Sequence, residues 1–101
     1  MANAIYLAVV TLFAPLWEEA IFRGFLLPSL CRYLPAHGAV VAAAAAFAAA
    51  HCSAERLLPL FALGLVIGVT FVRARGSLAV AVLVHAAWNA YAFAELLLRP
   101  A

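Results

Sequence analysis

The sequence predicts an all-α fold: a polytopic helical membrane bundle of about four transmembrane helices plus a short N-terminal apolar segment. Three observations predict it. Of 101 residues, 70% are hydrophobic and 10% charged, against about 45–50% and about 25% in soluble domains. A chain this short buries only roughly two-thirds of its surface on folding, so much of that apolar content would face outward. Lipid tolerates such an exterior, and at about 20 residues per crossing there is room for four or five helices. Finally, the apolar runs are separated only by short clusters of Arg, Pro, Gly and Ser. Strand alternation and linkers are missing, so residues 1–101 read as one membrane domain.

The first apolar stretch extends from Ala2 to about Leu34. As one straight helix it would run about 48 Å, against a hydrocarbon core of about 30 Å. It must tilt, protrude or break, and Pro15 is the expected break. Proline suits a first helical turn, and Glu18 and Glu19 just beyond it suit the positive end of a helix dipole. This gives a short segment over 2–14 and a spanning helix over 15–33. Residues 35–38 (Pro-Ala-His-Gly) make a turn, and 39–51 is an alanine-thick apolar run. After a polar break at 52–56 comes a third run, 57–72, with Gly64 and Gly68 in the spacing that lets membrane helices approach closely. The loop 73–77 leads to the last span, 78–98, closed by Arg99-Pro100.

Charge excludes some partners. Six Arg against four Glu give a net +2, with no Lys and no Asp. The Arg are dispersed, so no basic stripe serves nucleic acid and no polybasic anchor serves anionic lipid. The N-terminus lacks the basic flank of a signal peptide. Cys31 and Cys52 fall at opposite ends of consecutive spans and are expected to stay unpaired. Arg32, Arg73 and Arg75 fall on one side of the membrane and Arg56 and Arg99 on the other, a split too even to orient the chain.

Ionisable residues inside a span are costly and mark function. Here Glu18, Glu19 and Arg23 share the first span, His51 ends the next, and His85 and Asn89 lie in the last. Glu19 with Arg23, and His85 with Asn89, stand four apart and so share a helix face. Counting depth from the plane of Leu34 and Ser77, Glu18 sits about 24 Å in, His51 about 22 Å and Asn89 about 19 Å. Arg23 comes at about 16 Å and His85 at about 13 Å. Residues from three segments thus share one depth band, while His37 falls at the membrane face.

Hydrolysis is the chemistry such a band supports. A carboxylate shielded from bulk water holds a proton more readily and becomes a usable general base for a bound water. Histidine and an asparagine amide can donate to an oxyanion, and Arg23 can pair with Glu19 and hold it in place. Each piece alone has a plainer explanation: an ion pair neutralising itself, an interfacial histidine, interhelical hydrogen bonding. Their convergence at one depth favours a site. Trp17 and Trp88 read as packing or interfacial residues, and Glu95 as facing the interface.

Three motifs carry a resemblance. The stretch Glu18-Glu19-Ala-Ile-Phe-Arg23 resembles the Glu-Glu-x-x-x-Arg motif of the CPBP family, the CAAX proteases and bacteriocin-processing enzymes also called the Abi family. Phe47-Ala-Ala-Ala-His51 resembles its Phe-x-x-x-His motif, and His85-Ala-Ala-Trp-Asn89 its His-x-x-x-Asn motif. The resemblance covers about residues 13–90. It implies an intramembrane glutamic-type endopeptidase acting on a membrane-associated protein or peptide. Glu18 would then be the general base and Glu19 its partner, with His51 positioning water. His85 and Asn89 would stabilise the oxyanion, and Arg23 would support the site. No cofactor is favoured; were zinc used, Glu18, Glu19, His51 and His85 would be its ligands. The family usually carries further spans before the first motif, which implies a minimal member, an excised core, or a homo-oligomer that completes its bundle by self-association. Lys-free, Ala- and Arg-rich usage fits a bacterial cytoplasmic membrane.

Two other readings compete: a non-catalytic immunity or scaffold protein of the same fold, and a small proton-coupled multidrug exporter. The exporter explains the length and one carboxylate, but not the adjacent pair or the face shared by His85 and Asn89.

Overall fold

The computed structural model describes residues 2–99. Four helices account for nearly all of them: Asn3–Leu30, Ala36–Ala50, Leu57–Arg73 and Leu78–Leu98. Two are long and apolar enough to cross a membrane by themselves, the 28-residue first helix and the 21-residue fourth. The second and third, at 15 and 17 residues, are shorter apolar helices.

The expected break at Pro15 does not occur. The chain runs helical from residue 2 through Leu30 without interruption, so the separate N-terminal segment over 2–14 is part of the first helix. The reason lies in two wider π turns, Val9–Phe13 and Ala20–Leu26. A proline inside an α-helix lacks the N–H for the carbonyl four residues back and clashes with that carbonyl. Pro15 and Pro28 each follow a π turn closely. There the bonding steps to i→i−5, as Ala14 N–H to Val9 O and Leu27 N–H to Phe22 O show. The wider ring relieves the register demand that the proline cannot meet. Unbroken, the helix is about 42 Å long and must tilt or protrude from a core of about 30 Å.

The π turns also set which face is buried. Pro15, Glu19, Arg23 and Leu27 are all buried, at a strict spacing of four. Such a repeat drifts around a 3.6-residue helix; the π turn over Ala20–Leu26 holds it on one side.

The second helix lays Val40, Ala43, Ala44, Phe47 and Ala48 against Leu60, Gly64, Ile67, Gly68 and Phe71 of the third. A Cβ on Gly64 would come within 3.0 Å of both Cα and Cβ of Ala44, and one on Gly68 within 2.9 Å of Val40. The glycine spacing therefore does what its pattern promised. Gly64→Ala is expected to destabilise the bundle by about 1–3 kcal/mol through overpacking. Gly38→Ala, whose Cβ would meet nothing nearer than 3.7 Å, is expected to be neutral or stabilising. Thermal unfolding of both variants in detergent micelles reads the contrast.

The third helix ends at Arg73, and Arg75 and Gly76 just beyond it are both in the left-handed region at φ 58° and 77°, with Gly76 N–H donating to Phe71 O. Ser77 then caps the fourth helix through Val80 N–H. The turn predicted over 35–38 sits earlier, since Pro35 precedes the second helix and His37 lies in its first turn. Phe25, Leu58 and Leu83 stay largely exposed, as lipid-facing residues should. Both cysteines are free and exposed.

Candidate active site

Three helices bring the polar residues to one place. The buried stripe of the first helix supplies Glu19 and Arg23, with Glu18 beside them at its edge. The second helix ends at Ala50, so His51 caps it rather than lying inside it. The fourth helix delivers His85 from its buried face.

Glu19 is the most enclosed. Its Oε2 accepts from Arg23 Nη1 at 3.2 Å and meets His85 Nδ1 at 2.6 Å. Both Glu19 and Arg23 are fully buried and His85 nearly so. Arg23 also donates Nη2 to the Gly64 carbonyl at 2.8 Å, and its guanidinium lies 4.6 Å from the centre of the Phe47 ring. A buried arginine thus has a carboxylate, a carbonyl and an aromatic face around it, the partners a charge out of water requires.

Glu18 is different. Its Oε1 faces Nε2 of His85 at 3.6 Å and Nε2 of His51 at 3.7 Å. These separations are too long for direct hydrogen bonds and suit a bridging water. The Glu18 and His51 side chains are 30% and 23% exposed, against 3% for His85, so the site opens on the side of those two. His51 Nδ1 lies 2.7 Å from the Phe47 carbonyl. A carbonyl only accepts, so Nδ1 carries the proton and neutral His51 presents a bare Nε2 to Glu18.

The structure brings Glu18, Glu19, Arg23, His51 and His85 into one cluster. Asn89, half-buried, lies one turn beyond His85 on the same helix. His37 stays exposed at the far end of the second helix. Trp17 is exposed, and Glu95 pairs with Arg99 at the surface. Among the described residues, no group of three or more His, Cys, Asp and Glu is arranged to hold a metal ion. Of the four zinc candidates, Glu19 is turned to Arg23 and His85.

Two contributors escape the polar inventory because they are not polar side chains. Phe47 touches Arg23 and both site histidines. Gly64 offers its carbonyl to Arg23 only because it lacks a side chain; a Cβ there would stand 3.1 Å from Nη2. The Phe-x-x-x-His spacing was the available signal for the first, and the glycine pair for the second.

A family model described as Rce1-like, type II CAAX prenyl endopeptidase, matches residues 1–91. The chain belongs to this family. The match begins with the first helix and ends two residues after Asn89, so every site residue named above falls within it. The Rce1-like family is a membrane-embedded protease family, in keeping with two helices able to span a bilayer. No curated protein and no solved structure matches the chain.

Proposed function

We propose that this Rce1-like chain is an intramembrane endopeptidase that hydrolyses a peptide bond of a membrane-associated protein or peptide with glutamate-activated water. One observation carries the reading: a half-buried carboxylate, Glu18, faces imidazole Nε2 atoms from two other helices at 3.6 and 3.7 Å.

A water against Glu18 donates one hydrogen to Oε1 and the other to the bare Nε2 of His51. Its lone pair is thereby aimed away from both, toward a substrate carbonyl. As the water oxygen bonds the carbonyl carbon, its proton passes to Glu18 and the carbonyl π electrons move onto oxygen. His85 and the Asn89 amide donate to that oxyanion. Collapse of the intermediate breaks the C–N bond, and Glu18 returns the proton to the leaving amine. The products are a carboxylic acid and an amine, and the acid's proton passes to the amine to leave a carboxylate and an ammonium.

Glu19 acts as a positioning residue. It holds His85 by Nδ1–H so that Nε2 points to the reacting side, while Arg23 fixes Glu19.

The test is the chain reconstituted in lipid vesicles with a panel of membrane-associated peptides. Cleavage is expected, and is expected to survive EDTA and phenanthroline. Loss of cleavage on chelation with recovery on adding Zn²⁺ would overturn the metal-free mechanism. Proton-coupled dye efflux without cleavage would favour the exporter. We further infer a bacterial cytoplasmic membrane location from the Lys-free, Arg-rich composition.

A further inference from the structure

We infer that Phe47 is the residue that aligns both site histidines on Glu18, a positioning role that rests on the hydrolytic reading above. Its main chain and its ring act on different parts of the site. The carbonyl takes the Nδ1 proton of His51 at 2.7 Å, which leaves Nε2 as the nitrogen opposite Glu18. The ring crosses the His51 imidazole at 65° with centroids 4.9 Å apart, and the His85 imidazole at 77° and 5.4 Å. These are edge-to-face separations, which fix ring orientation as well as distance.

The ring is itself held. It is fully buried, Phe22 crosses it at 89° and 5.4 Å, and the Arg23 guanidinium lies 4.6 Å from its centre. Arg23 in turn is tied to Glu19 and to the Gly64 carbonyl. One aromatic ring therefore connects the anchored Arg23–Glu19 pair of the first helix to imidazoles from the second and fourth. Spacing along the second helix explains how one residue reaches this far. Phe47 and His51 stand four apart and share a face, and that face looks into the bundle. Leucine would keep the apolar bulk and lose the flat faces and edges that orient the neighbours.

The test compares the wild-type full chain with Phe47→Leu in lipid bilayers, by imidazole nitrogen NMR and by peptide cleavage. In the wild type, neutral His51 is expected as the Nδ1-protonated tautomer. Phe47→Leu keeps the residue 47 carbonyl and so that tautomer, while the imidazole nitrogen resonances of His51 and His85 are expected to broaden as both rings lose a fixed orientation. The kcat is expected to fall by about tenfold to a hundredfold with KM changed less than about twofold, as misalignment of reacting groups implies. Unchanged histidine spectra and unchanged kcat in a folded Phe47→Leu protein would overturn the inference, whatever its loss of thermal stability. Should Phe47→Leu not fold, Phe47→Met, whose flexible chain fills irregular space, is read by the same criteria. The spectra need no turnover. A wild type that cleaves no peptide would sink the hydrolytic reading, while the imidazole line widths still decide whether the Phe47 ring aligns the histidines.

Discussion

Glu18→Gln is expected to abolish peptide cleavage while leaving the helical bundle intact. Glutamine keeps the size and the polar character of the side chain but cannot take a proton from water. General-base catalysis contributes about 10²–10⁴-fold, so residual cleavage should be about 10⁻²–10⁻⁴ of the wild-type rate or lower. Folding should be little affected, because Glu18 is the partly exposed member of the pair and its Oε1 makes only long contacts, at 3.6 and 3.7 Å. The measurement is initial cleavage rate in vesicles, with circular dichroism and membrane insertion as controls. Full activity in the variant would exclude Glu18 as the base. The same change at Glu19 should differ in kind: it removes the acceptor for both Arg23 and His85 and should reduce folded protein as well as rate.

Arg23→Met is expected to have the largest effect on stability of any single polar substitution. Both Arg23 and Glu19 are fully buried. A solvated i,i+4 pair would contribute only about 0.3–0.5 kcal/mol, and burial decides against that reading. Removing one partner of a buried pair costs about 3–5 kcal/mol, because the other charge is left uncompensated. The Gly64 carbonyl would lose its donor as well. The double variant Glu19→Gln/Arg23→Met removes both charges and is expected to recover a large part of the loss. Unfolding by denaturant in mixed micelles measures all three. Equal stability of Arg23→Met and wild type would mean that water reaches the pair in the folded protein.

The contrast between these two glutamates shows where sequence reading ends. Adjacent residues on a helix point about 100° apart, so Glu18-Glu19 could not both face inward, but nothing in the pair says which one does. The answer came from the π turns. A straight α-helix would carry a spacing of four off its buried face, whereas the wider turn over Ala20–Leu26 keeps Arg23 and Leu27 on the buried side with Pro15 and Glu19. Those turns also overrode the break expected at Pro15, because their bonding step does not require the proline's missing N–H. Period and proline rules assume regular α geometry, and this helix departs from it twice.

Composition alone determined that the chain lives in a membrane as an all-α bundle, since an apolar fraction of 70% has no other solvent. Spacing and order determined the last span, residue for residue, the close approach at Gly64 and Gly68, and the shared depth of the polar residues. These follow from local periodicity and from helix length, which a sequence carries directly. Only the tertiary structure decided that Glu19 is locked by Arg23 and His85 while Glu18 stays open to His51. It also decided that the ring of Phe47 and the carbonyl of Gly64 belong to the site. An apolar ring and a backbone oxygen have no chemical signature in a sequence; what they do depends on which groups other helices place against them.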